Sequence, residues 1–148
     1  MDIKTQINES VKDAMKSGDE VRKRTLRMVL AAVKQVEVDK RIALDDMAVV
    51  ALIQKEIKNR REAIEEAGKA NRPDLVKENE AEVKVLEVFL PKAMPAEELR
   101  ALVKAAIDET GASAPSDMGK VMKFVMPKVA GRASNDMISS TVKELLIK

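Results

Sequence analysis

Four cationic side chains stand close together near the C-terminal end of the chain: Lys120, Lys123, Lys128 and Arg132. Lys120 and Lys123 are three apart, so a helix carrying them puts both on one side. Lys128 follows Pro127 and Arg132 follows Gly131, a residue that lets the backbone turn sharply. Lysine and arginine neutralise phosphates, and phosphate contacts supply most of the sequence-independent affinity for nucleic acid. Lys120, Lys123, Lys128, Gly131 and Arg132 are therefore the candidate nucleic-acid-binding residues; the bland reading of the same cluster is a solvated basic face. Phe89 and Phe124 are the only aromatic residues, so base stacking has few platforms. RNA would be recognised here by shape and backbone.

A second candidate is the row Met118, Met122 and Met126, interleaved with Val121, Val125 and Val129. Such a row is commonly core, but methionine also suits adaptable partner surfaces, so these three are the candidate partner-binding residues. Other motifs carry less. Gly119-Lys120 lacks the glycine five positions earlier and the Ser or Thr after the lysine that a phosphate loop requires, since Ala114 and Val121 occupy those positions. Ser140 and Lys143 have the spacing of a serine–lysine hydrolase pair but no companion motif. Glu78 and Glu82 are four apart on one helix face, yet Lys77 and Lys84 beside them favour a solvated surface over a metal site. Arg60 falls in an apolar stripe. It implies a carboxylate partner on another helix or a snorkelling side chain, with a ligand or RNA role as the alternative.

Histidine and cysteine are absent. The usual proton shuttle and the usual thiol nucleophile and soft metal ligand are thus missing. No catalytic residue, metal site or cofactor is expected, and an enzymatic role is disfavoured on residue chemistry.

The elements that must position these residues are all helical. Ile3, Ile7, Val11 and Met15 repeat every fourth residue in a first helix, about 2–17, that Gly18 stops. Leu26, Val29, Val33 and Val36 form the stripe of a second helix, about 19–41. Asp45 caps a third that runs to about Lys69, with Val50, Ile53, Ile57, Arg60, Ile64 and Ala67 on one face. Pro73 opens a fourth carrying Leu75, Asn79, Val83, Leu86 and Leu90, which Pro91 ends. Pro95 opens a fifth that Gly111 ends. Ser116 or Asp117 caps a sixth running to about Ala130, and Ser134 caps a seventh. The expectation is an all-α protein: a four-helix N-terminal domain over 1–90, a proline hinge, then a three-helix bundle over 91–148.

Composition sets the outer bounds. Apolar residues make up 45% and charged residues 35% of 148, too apolar for a disordered chain. No apolar run approaches the ~20 residues that span a bilayer, so no membrane is expected as partner. The N-terminal residues do not read as a signal peptide, and with no cysteine a cytoplasmic location is expected. Net charge is +2, unevenly spread: residues 1–90 sum to zero, 91–117 to −2 and 118–148 to +4. The last segment is the one with a clear sign.

The tracts DMGKVMKFVMPKVAGRA (117–133), RMVLAAVKQVEVDKR (27–41) and KNRREAIEEAGKANRPDLVKENEAEVKVLEVFLP (58–91) resemble the YqeY-like family along essentially the whole chain. From Pro91 onward the chain is also similar to the C-terminal tail of the GatB subunit of glutamyl/aspartyl-tRNA amidotransferase. The resemblance implies a four-helix part followed by a three-helix GatB/YqeY-like part. It further implies a role beside tRNA, since the tail belongs to the tRNA-engaging end of that complex. One departure is Met122-Lys123, where the family usually reads Met-Gly; it adds charge to the basic corner. The resemblance also carries an association with glutamine-dependent amidotransfer, a carbon–nitrogen ligase activity. No residue here answers to an amidase Ser-Lys site, an ATP site or a zinc site. The expected function is a non-catalytic accessory module that binds tRNA, or a tRNA-modifying or aminoacylating enzyme, through its C-terminal domain. The alternative is a protein-interaction module using the methionine face.

Overall fold

A computed structural model describes residues 1–147. Its elements are α1 (Ile3–Ser17), α2 (Glu20–Lys40), α3 (Asp46–Lys69), α4 (Pro73–Glu87), α5 (Ala96–Thr110), α6 (Met118–Val129) and α7 (Asn135–Leu146). A short 3₁₀ turn over Pro115–Asp117 precedes α6. Among the described residues there is no strand, and the protein is all-α. Caps fall where short polar side chains precede apolar periodicity. Asp2, Asp19, Asp45 and Ser134 each accept a backbone N–H from the first turn of the helix that follows.

The chain divides into two compact units, Met1–Leu90 and Pro91–Lys148. In the first, α1 packs on α2 and α3 on α4, with α2 also meeting α3 and α4. Ile7, Leu26, Val29, Val49, Ile53 and Leu86 are fully buried at its centre. Each such side chain contributes on the order of 1.5–3 kcal/mol by leaving water. Arg60 lies in this core with its guanidinium on two carboxylates. Nη1 meets Glu56 at 2.7 Å, one turn back on α3, and Nη2 lies 3.6 Å from Glu82 on α4. The pairing with a carboxylate on another helix is realised. In the second unit α5, α6 and α7 all pack on one another around Leu99, Val103, Val121, Val125, Ile138 and Val142.

Three details differ from the periodicity. Met15 ends the α1 stripe but is 55% exposed, because a strict four-residue step drifts off a 3.6-residue helix and the buried face passes to Ala14. Leu75, at the start of α4, is exposed as well. And α4 stops at Glu87, ahead of Pro91; Val88 and Phe89 continue as a tighter turn, with the Phe89 and Leu90 N–H groups donating to Leu86 and Glu87. The proline excludes helix from the residue before it, and the chain has already left the α ladder by then.

Glu37 staples the loop between α2 and α3. Its carboxylate accepts the Leu44 N–H at 2.7 Å and the Lys4 ammonium at 3.0 Å. The Leu44 bond first, and Lys4 second, hold its pKa below the ordinary carboxylate value. A lowered folded-state pKa means a contribution fully present above the unfolded value of about 4.3 and lost as pH falls through the folded value. Glu37→Gln is expected to melt lower than the parent at neutral pH and to lose less of its melting temperature between about pH 5 and 3. Parallel melting-temperature profiles for the two proteins, followed by circular dichroism, would exclude this role.

Candidate nucleic-acid interface

The basic corner is built on α6. Val121, Val125 and Val129 recur every fourth residue and are fully buried against α5 and α7. That burial fixes the helix's rotation and turns Lys120, Lys123 and Lys128 outward, where all three are exposed. Among the described residues no carboxylate forms an ion pair with any of the three. The Lys128 ammonium sits 3.9 Å from the centre of the Phe124 ring, a cation–π contact within one helical turn. Asp117, just before α6, caps the preceding loop by accepting the Ser113 and Ala114 N–H groups at 3.1 and 3.3 Å. Those two bonds, with Lys120 nearby, hold its pKa below the usual carboxylate range, so it stays ionised.

The end of α6 is a sharp turn. Ala130 and Gly131 both take left-handed backbone conformations, with φ of 50° and 79°. Glycine does so at no steric penalty and alanine at roughly 1–2 kcal/mol. The turn brings Arg132 back across the start of the unit. Its backbone carbonyl accepts the Met94 N–H at 2.8 Å, and its Nε donates to the Lys92 carbonyl at 3.1 Å. Its two terminal nitrogens meet the Glu98 carboxylate at 3.1 and 3.3 Å. Arg132 thus departs from the expectation of a free phosphate contact: its fork is engaged inside the unit and ties the segment before α5 to the α6–α7 turn. Glu98 and Lys92, its partners, were not legible as such. No local pattern links positions 34 and 40 residues apart.

Met118, Met122 and Met126 are half-buried and pack against the core of the second unit. Ser140 and Lys143 are both exposed on α7. Glu78 and Glu82 do not act together: Glu78 meets Arg24 at 3.3 Å, and Glu82 faces Arg60. Among the described residues no group of three potential metal ligands gathers, and no helix is long and apolar enough to cross a membrane.

An all-helical protein with a cationic helix corner on a small three-helix unit is the class that fold and site define. The Yqey-like protein family model matches residues 4–146, and the chain belongs to that family. It is similar to the protein named altered inheritance of mitochondria protein 41, mitochondrial, from several fungi. The Lachancea thermotolerans protein is 33% identical, over 96% of this chain and 80% of its own length. The Kluyveromyces lactis protein is 32% identical, over 94% and 81%. The Pyrenophora tritici-repentis protein is 29% identical, over 95% and 79%. These names correct one expectation. A cytoplasmic location does not stand beside relatives named as mitochondrial. The features that suggested it, missing cysteines and a polar N-terminal stretch, do not distinguish one aqueous compartment from another.

Proposed function

We propose that the protein is an accessory module without chemistry of its own, whose second unit docks on the phosphate backbone of tRNA. Lys120, Lys123 and Lys128 are the contacting groups, and the Gly131 turn, locked by Arg132, holds their helix in place. The observation that carries this reading is the set of three exposed lysines on a helix whose opposite face is fully buried. A rigid cationic row whose lysines form no ion pair among the described residues, with Asp117 the one carboxylate near Lys120, suits backbone contacts that need position and no base readout. The likeness of this part of the chain to the GatB tail supports tRNA as the nucleic acid. Half-buried methionines packed on the core give the competing protein-docking face less free surface.

The test is a titration of tRNA at two salt concentrations. Each neutralised phosphate contributes about 0.7–0.9 to the slope of log affinity against log salt. Changing Lys120, Lys123 and Lys128 to alanine is expected to lower the slope by about 2 to 3 while leaving the helical signal unchanged. Binding that keeps its slope in the triple variant, or no binding at low salt, rules the proposal out.

A further inference from the structure

We propose that the outer face of α2 is a docking seam for a partner helix with acidic flanks. α2 has two stripes. Leu26, Val29 and Val33 face the core and are buried. Met28, Ala31, Gln35 and Val38 form a second row, spaced three, four and three, which is the spacing of a coiled-coil seam. This row is open to solvent, with Met28 50% and Val38 63% exposed. The small side chain of Ala31 leaves a shallow hollow that Glu20, Lys23, Arg24, Arg27 and Met28 complete. Met15 enlarges the apolar surface: it is exposed, and its sulfur accepts an Arg27 guanidinium N–H at 3.5 Å.

One flank of the seam is a basic row. Arg27 and Lys34 stand seven residues apart on α2, each directly before a seam position, and Arg41 follows as the left-handed cap that ends the helix. All three are exposed, and among the described residues none forms an ion pair with a carboxylate. The neighbouring Lys23 and Arg24 are matched by Glu20 and Glu78. Flanking positions of this kind set partner choice in paired helices. The row selects acidic residues on the facing helix. A second copy fits poorly. Antiparallel, it sets the basic rows against each other; parallel, it offers those three cations a single acid, Asp39, on the other flank. Nucleic acid fits poorly too, because the seam is largely apolar and has no aromatic platform. Methionine and arginine are enriched in protein interfaces, and both line this one.

The probe is a pair of labelled synthetic helices with the same leucine seam, one flanked by glutamates and one by lysines, titrated onto the whole protein. The glutamate helix is expected to bind, and the lysine helix to bind at least about tenfold more weakly. Reversing Arg27, Lys34 and Arg41 to glutamate is expected to invert that preference. Val38→Asp, at an exposed site that leaves the fold intact, is expected to weaken the glutamate helix about tenfold or more. The proposal is overturned if neither helix binds, if both bind equally, or if charge reversal leaves the preference unchanged. It is overturned in favour of a second copy if sedimentation shows a dimer that Val38→Asp dissolves. It is overturned in favour of RNA if the charge reversal removes tRNA binding and spares the peptide.

Discussion

Replacing Arg60 by alanine is expected to cost about 3–5 kcal/mol of the first unit's stability. Arg60 is 7% exposed and Glu82 9%, so removing the guanidinium leaves a carboxylate in the core without its counter-charge. Its bond to the Glu56 carbonyl at 3.1 Å is lost as well. The loss exceeds that of a surface pair such as Arg61–Glu87, where water takes over the solvation and the median effect is about 0–1 kcal/mol. The Arg60 Nε is buried without a hydrogen-bond partner, so the network is incompletely satisfied even in the parent protein. Hence Arg60→Met with Glu82→Leu is expected to recover most of the loss, or to exceed the parent, since a buried ion pair is often no better than well-packed apolar groups. Urea titrations of the parent, the single variant and the double variant decide it. A single variant within about 1 kcal/mol of the parent would show that these charges are effectively solvated where they stand.

Leu99→Ala is expected to have the largest effect on the proposed interface, although Leu99 touches none of its lysines. Leu99 is 1% exposed at the start of α5 and belongs to the cluster that includes Val121, Val125 and Val129 of α6. Truncation removes apolar contact and leaves a cavity, at about 2–5 kcal/mol. A core as small as this unit's supplies only about 3–5 kcal/mol in total, so the variant is expected to be largely unfolded between residues 91 and 148. The lysines keep their charge and lose their fixed spacing. Amide chemical-shift dispersion from this unit should collapse, and tRNA affinity should fall with it. Leu99→Met keeps the volume and is expected to cost less than about 1.5 kcal/mol. If Leu99→Ala retained both dispersion and affinity, a rigid α6 would not be what the interface requires.

Met15, Val38 and Arg132 show where reading by residue pattern stops. The α1 stripe is real, and Ile7 and Val11 are buried by it; yet Met15 continues the same period into solvent. A step of four drifts off the 3.6-residue helix, so the covered face passes to Ala14 and leaves Met15 outside it. On α2 the pattern supplied one buried stripe. The second, through Met28 and Val38, was not part of that pattern, because nothing local distinguishes a covered methionine from an open one. Arg132 lay in a row of cations and read as one of them. Its distinction comes from Glu98, which the chain brings within 3.1 Å only after α5 and α6 have folded onto each other.

What the chain determined alone is what depends on near neighbours: the helices of the described residues, the Asp45 and Ser134 caps, and the buried core of each apolar face. These follow from hydrogen bonds and side-chain contacts at separations of three and four residues, which are written directly in the order of the letters. Tertiary structure decided which charges are consumed and which are left over. Arg132 is neutralised by a carboxylate 34 positions away and Arg60 by one 22 positions away together with the local Glu56, whereas Lys120, Lys123 and Lys128 form no ion pair among the described residues. A cation's availability is set by what packing brings to within a few ångströms of it, and that distance does not exist until the helices have docked.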